Sequence, residues 1–227
     1  PRWCSKAPFI EEDLALTNIA LDMIGRAQAL LNYAAVLENK GRTGDDIAYR
    51  RAENHYYNYL LTEQENGDFA TTIARQLYIS SYEMLVYAEL EKSRDTTLAA
   101  IASKAIKEIR YHFRHAADWT IRLGDGTPES HIRMQKAVSD LWMYTGELFE
   151  MDDLDSSLLR EGMAVDLTPL KAPWHRLLQE VFQEATLVLP EDGYMQTGSK
   201  KGIHSEHLGH ILAEMQYLQR AYPDARW

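Results

Sequence analysis

A chain of 227 residues with 24 Lys and Arg against 34 Asp and Glu carries a formal charge of −10, which argues against a general phosphate-backbone binder because such binding rests on cations neutralising phosphates. Its length suits one large domain with an ample core, and neither a charged-then-apolar leader nor an apolar run long enough to span a bilayer is present, so neither nucleic acid nor membrane is an expected partner. A single cysteine, Cys4, excludes an intramolecular disulfide and fits a reducing, cytoplasmic location.

Apolar residues recur at spacings of three and four almost throughout, and no stretch keeps the strict alternation of a half-buried strand, which predicts an all-α fold. The first helix is predicted from about Glu12 to Lys40, with acids in its opening turn and Gly41 just past its end. A second is predicted from Asp45 to Glu63. Asp68 is the expected N-cap of a helix ending near Ser93, and Asp95 caps the next. That fourth helix carries Leu98, Ile101, Ala102, Ala105, Ile109, His112, Ala116, Trp119 and Leu123 on one stripe and stops at Gly124. Thr127-Pro128 opens a fifth helix, predicted to continue to about Glu150. A short helix around Ser156 to Glu161 follows, then one from about Trp174 to Val188 ended by Pro190. The 193–202 stretch reads as a surface loop, and a last helix begins near Ile203. No internal repeat or flexible linker divides residues 1–227, so a single domain is expected; the start at Pro1-Arg2-Trp3 without Met predicts that a leading segment, a native N-terminal helix, is missing.

A four-helix carboxylate bundle holds two metal ions with two isolated Glu residues and two Glu-x-x-His pairs, because residues three apart project from one helix face. None of the eight histidines here has an Asp or Glu three residues before it: Glu108 is followed three on by Tyr111, Glu180 by Gln183 and Glu184 by Leu187. Glu108 and His112, four apart, are expected to point inward as a hydrogen-bonded pair. His204, His207 and His210 resemble a ligand-rich patch, but a metal there needs a third ligand from elsewhere, and the face of His207, Ile211 and Glu214 is expected to pack on a neighbouring helix. Lys104, Lys107, Arg110 and Arg114 form a basic stripe opposite the apolar face, open to a partner or ligand or simply solvated. Lys200 and Lys201 sit in a loop without a nucleotide-cradle arrangement, and Cys4 has no histidine close in sequence to activate it. Tyr49, His55, Tyr56, Tyr57 and Tyr59 crowd one short segment, which predicts that a partner covers part of it.

The segments Glu12-Asp13-Leu14-Ala15-Leu16, Phe69-Ala70-Thr71-Thr72-Ile73-Ala74-Arg75-Gln76, Lys104 through His112, Gly202 through Gly209 and Leu212 through Arg220 resemble the structural C subunits of bacterial phenylacetyl-CoA epoxidases, along the chain from Trp3 to Trp227. The resemblance implies a ferritin-like helical bundle with additional helices. It also implies a role beside a catalytic A subunit that carries the di-iron centre, with a small B subunit and a reductase using NADPH, flavin (FAD) and iron-sulfur. No cofactor and no catalytic residue are implied in this chain. The family's complex epoxidises the ring of phenylacetyl-CoA in aerobic phenylacetate degradation. Tyr78, Glu108, Tyr111, His112, Glu147, Glu150 and Glu184 then mark a degenerate metal-site region, in which any buried acid is expected to find hydrogen bonds or a cation partner, since an uncompensated buried carboxylate costs several kcal/mol. Two other readings remain open: a self-sufficient di-iron oxygenase with atypical ligands, and an acyl-CoA binding module using the basic stripe.

Overall fold

The computed structural model describes Trp3, residues 5–223 and Ala225; Cys4 lies outside the described residues. All regular structure among these residues is helical. Helix α1, Ile10–Glu38, opens on Glu11, Glu12 and Asp13 and ends where Asn39 turns into the left-handed region at φ 50°, two residues earlier than Gly41. Helices α4 (Phe69–Leu90), α5 (Thr96–Gly124) and α6 (Pro128–Trp142) start where the sequence predicts. Asp68 accepts from the Thr71 N–H, Asp95 from those of Thr97 and Leu98, and Thr127 from that of Ser130.

The single helix predicted over 45–63 is instead broken into α2 (Gly44–Tyr49), a 3-10 turn at Glu53–His55 and α3 (Leu60–Glu63). Side chains take the carbonyls that a continuous helix would use: Arg51 donates to the Ile47 and His55 carbonyls and the Tyr56 hydroxyl to that of Ala48. The fifth predicted helix stops at Trp142, not Glu150, because the Thr145 hydroxyl caps the Trp142 carbonyl at 2.8 Å and a 3-10 turn follows at Gly146–Phe149. Helix α7 is Asp153–Arg160. Helix α8, Lys171–Glu184, ends before Val188 because Thr186 turns to φ 56° and its hydroxyl reaches the Gly124 carbonyl. The predicted surface loop before the last helix is partly folded inward: Ser199 is 1% exposed and Lys200 is held by the Asp155 carboxylate. Helix α9, Glu206–Ala221, closes the chain of elements.

The core lies where α4 meets α5, α6 and α8. Tyr78, fully buried on α4, donates its hydroxyl to the Val138 carbonyl at 2.9 Å and packs against Trp142, Trp174 and Phe182 at ring separations of 5.7, 6.0 and 6.3 Å. Gly124 is required at the end of α5 because a Cβ there would strike the Ala185 carbonyl at the end of α8. The outlier is α1: it lies along α5 but buries only Ile19 and Ala35, while Ile10, Leu14, Leu21 and Ile24 are 72, 60, 59 and 61% exposed.

Candidate functional site

The residues predicted to mark a degenerate metal site do not converge. Tyr78 is locked into the aromatic core, Tyr111 is exposed on α5, Glu184 is exposed at the end of α8, and Glu150 is exposed beyond α6, where it accepts from the Thr197 hydroxyl at 2.7 Å. Glu147 is 1% exposed, yet it faces α3 and the 199–201 turn, accepting from the Leu60 N–H at 2.6 Å and the Ser199 N–H at 3.4 Å. Burial pushes its carboxyl upward, opposed by those N–H donors. The physical reason for the dispersal is the early end of α6, which removes Glu147 and Glu150 from the helix that would have aimed them inward.

The Glu108–His112 pairing is also corrected. His112 is 1% exposed and its Nε2 donates to Asp22 of α1 at 3.0 Å, while Glu108 is half-buried and makes no hydrogen bond or ion pair among the described residues. The neighbour that α1 brings across the face of α5 displaces the neighbour one turn away on the same helix. Burial lowers the His112 imidazole below its ordinary value of 6.5, against the opposing pull of Asp22.

Asp22 belongs to a charged seam that the sequence pattern did not single out. One turn further along α1, Arg26 donates to Glu83 of α4 at 2.7 Å, with side chains 9% and 17% exposed, and its guanidinium lies 5.1 Å from the centre of the Tyr87 ring. Burial raises the Glu83 carboxyl, with Arg26 pulling the other way. Glu12 accepts from His115 Nε2 at 2.7 Å, and the Tyr33 hydroxyl donates to Asp95 at 2.6 Å, so polar side chains along α1 fasten it to α4 and α5. A signal was available: Glu12, Asp22, Arg26 and Tyr33 share a face of α1 with Ile19, which makes its inner face polar.

Another buried acid lies under α9. Glu63 is 1% exposed and accepts from Asn58 Nδ2, the Ser205 N–H and hydroxyl, and His204 Nδ1, at 2.9, 2.8, 2.7 and 2.6 Å. His204 Nε2 donates to the Tyr56 carbonyl at 2.9 Å, so this histidine is a tie between α3 and α9. Part of the crowded tyrosine surface is covered by the chain itself: Tyr56 packs on Leu208 and Leu212, and Tyr59 hydrogen-bonds Tyr82 at 2.8 Å, whereas Tyr57 remains 58% exposed. The basic stripe is where the sequence predicts, with Lys104, Lys107, Arg110 and Arg114 all exposed on α5 and none in an ion pair among the described residues.

Among the described residues no three His, Cys, Asp or Glu side chains converge as metal ligands. The donor set of the seam does not fit a di-iron pair either. The two histidines each already serve a carboxylate through Nε2, and the guanidinium of Arg26, a permanent cation, occupies the carboxylate of Glu83. No helix among the described residues is long and apolar enough to cross a membrane.

Comparison with known proteins agrees with this architecture. The family model described as phenylacetic acid catabolic protein matches residues 1–227. The C subunit of the 1,2-phenylacetyl-CoA epoxidase of Escherichia coli (strain K12) is 49% identical over 225 residues, which cover 99% of this chain and 90% of that protein. The chain, a ferritin-like helical bundle, thus belongs to the phenylacetic acid catabolic protein family.

Proposed function

We propose that the chain is a non-catalytic structural subunit of a multicomponent di-iron monooxygenase that epoxidises the ring of phenylacetyl-CoA. Its partners in this reading are a catalytic A subunit that carries the di-iron centre, a small B subunit, and a reductase with NADPH, FAD and iron-sulfur. The observation that carries the reading is the seam: the buried carboxylate of Glu83 is neutralised by the chain's own Arg26, and a second cation placed there would meet a guanidinium. The relative's name as an epoxidase subunit supplies the reaction.

The surface that supports a partner role is the outer ridge of α1, where Ile10, Leu14, Leu21 and Ile24 form an apolar line on a helix whose polar residues face inward. The cations Lys104, Lys107, Arg110 and Arg114, outside any ion pair among the described residues, support a second, electrostatic contact with an acidic partner surface, because in a chain of net charge −10 the stripe is the local exception.

The test is co-purification with a candidate catalytic subunit, followed by metal counting on the separated chains and an epoxidation assay on each chain and on the pair. Iron should follow the partner, and turnover should need both chains. Stoichiometric iron in this polypeptide, with turnover in the absence of another oxygenase component, overturns the proposal.

A further inference from the structure

Between Trp3 and Asn32 the chain is held firmly at both ends and lightly in the middle. At one end Trp3 donates its indole N–H to Thr72 at 2.8 Å and packs edge-on against Phe69 at 5.8 Å. At the other, Ala35 is buried, the Tyr33 hydroxyl bonds Asp95, and Gly44 of α2 lies so close that a Cβ on it would strike the Asn32 side chain. Across residues 10–31 only Ile19 is buried, whereas α4, a shorter helix, buries Ile73, Ala74, Leu77, Tyr78 and Tyr82. Ordering every residue of the stretch costs chain entropy, and one buried isoleucine returns little of it.

What joins this stretch to the bundle is polar: Glu12 to His115, Asp22 to His112 and Arg26 to Glu83. Each tie satisfies only half of the group beneath it. Glu83 Oε2, His112 Nδ1 and His115 Nδ1 are buried with no hydrogen-bond partner among the described residues, so laying the helix over α4 and α5 takes three polar atoms out of water with no protein atom in its place. Lifting it hydrates them again. The core is held by other residues: none of its buried side chains among the described residues comes from α1. We propose that residues 10–31 are a strap that opens and closes as one cooperative unit while the α4, α5, α6 and α8 core stays folded, uncovering Glu83, His112 and His115 when it lifts. The open strap stays tethered at Trp3 and Tyr33, which keeps the entropy cost of closing it small. The inference is independent of the catalytic or structural role of the chain.

Hydrogen exchange of the full chain, read by mass spectrometry over a series of urea concentrations below the unfolding midpoint, tests it. Amides of residues 14–31, past the first turn of α1, should share one urea-dependent opening, with a smaller urea slope than the amides of α4 and α6 and protection lower by roughly tenfold or more. Tyr78→Phe should lower protection in α4 and α6 about fivefold and leave that of 14–31 unchanged, because an opening that keeps the core folded keeps the Tyr78 bond to the Val138 carbonyl. Gly25→Ala, on an exposed face of α1 with nothing within 4 Å of the added Cβ, should raise protection of 14–31 about fivefold by favouring the closed helix. An equal fall in 14–31 and the core on Tyr78→Phe, a shared urea slope, exchange of 14–31 that urea leaves unchanged, or no gain from Gly25→Ala overturns the proposal.

Discussion

Arg26 of α1 and Glu83 of α4 meet at 2.7 Å with only 9% and 17% of their side chains exposed, so this bundle carries its own cation between its helices. Removing one partner leaves the other charge uncompensated, and Arg26→Met should destabilise the fold by about 3–5 kcal/mol in urea denaturation. The double variant Arg26→Met with Glu83→Leu should recover most of that loss, since replacing a buried pair by apolar residues is often neutral. A double variant no more stable than Arg26→Met would show that the seam holds α1 by something other than charge pairing.

The tie beneath α9 has a similar logic but a local consequence. Glu63 gathers Asn58, His204 and Ser205, and Glu63→Ala leaves those donors buried and unpaired. We expect a loss of about 3 kcal/mol or more and earlier proteolysis within residues 199–221 than elsewhere. Limited proteolysis with mass mapping reads it; uniform acceleration along the chain would count against a local tie.

Acid should loosen the chain through His112 and His175, whose imidazoles are both lowered below 6.5 by burial. With folded values below the unfolded one, their contribution is fully present above about pH 6.5 and is lost as pH falls, because the unfolded chain takes up the protons first. Urea midpoints are expected to drop between pH 7.5 and 5.5, and His112→Asn should drop less over the same interval. Equal slopes for the two proteins would remove His112 from this account.

Tyr78 provides a test of the core. Tyr78→Phe deletes only the hydroxyl that bonds the Val138 carbonyl, which predicts a loss of about 1 kcal/mol. Tyr78→Glu places a carboxylate among the rings of Trp142, Trp174 and Phe182, and should cost several kcal/mol. Thermal unfolding of both variants checks the ranking.

On the surface, Leu21→Glu combined with Ile24→Glu should change stability by no more than about 0.5 kcal/mol per site, because both residues are about 60% exposed. The same pair should abolish association with a catalytic subunit in size-exclusion chromatography, whereas Lys107→Glu with Arg110→Glu should slow association and change its salt dependence.

The amino-acid order alone determined the helical class, the caps at Asp68, Asp95 and Thr127 and the inward stripe of α5, because these depend on residues within a turn or two of each other. It also determined that no Glu-x-x-His pair exists, since that spacing is a property of one helix. Only the tertiary structure decided which acids are buried and what compensates them. Glu63 and Glu147 are buried by turns that break the helical pattern, and Glu83 by a cation from α1, 57 positions earlier in the chain. The preference of His112 for Asp22 over Glu108 has the same origin: helical spacing brings Glu108 beside it, but the packing of α1 on α5 places a carboxylate at its ring nitrogen. Local rules fix where helices begin and which faces are apolar, whereas the pairing of buried charges is settled by which distant helix arrives to exclude water from them.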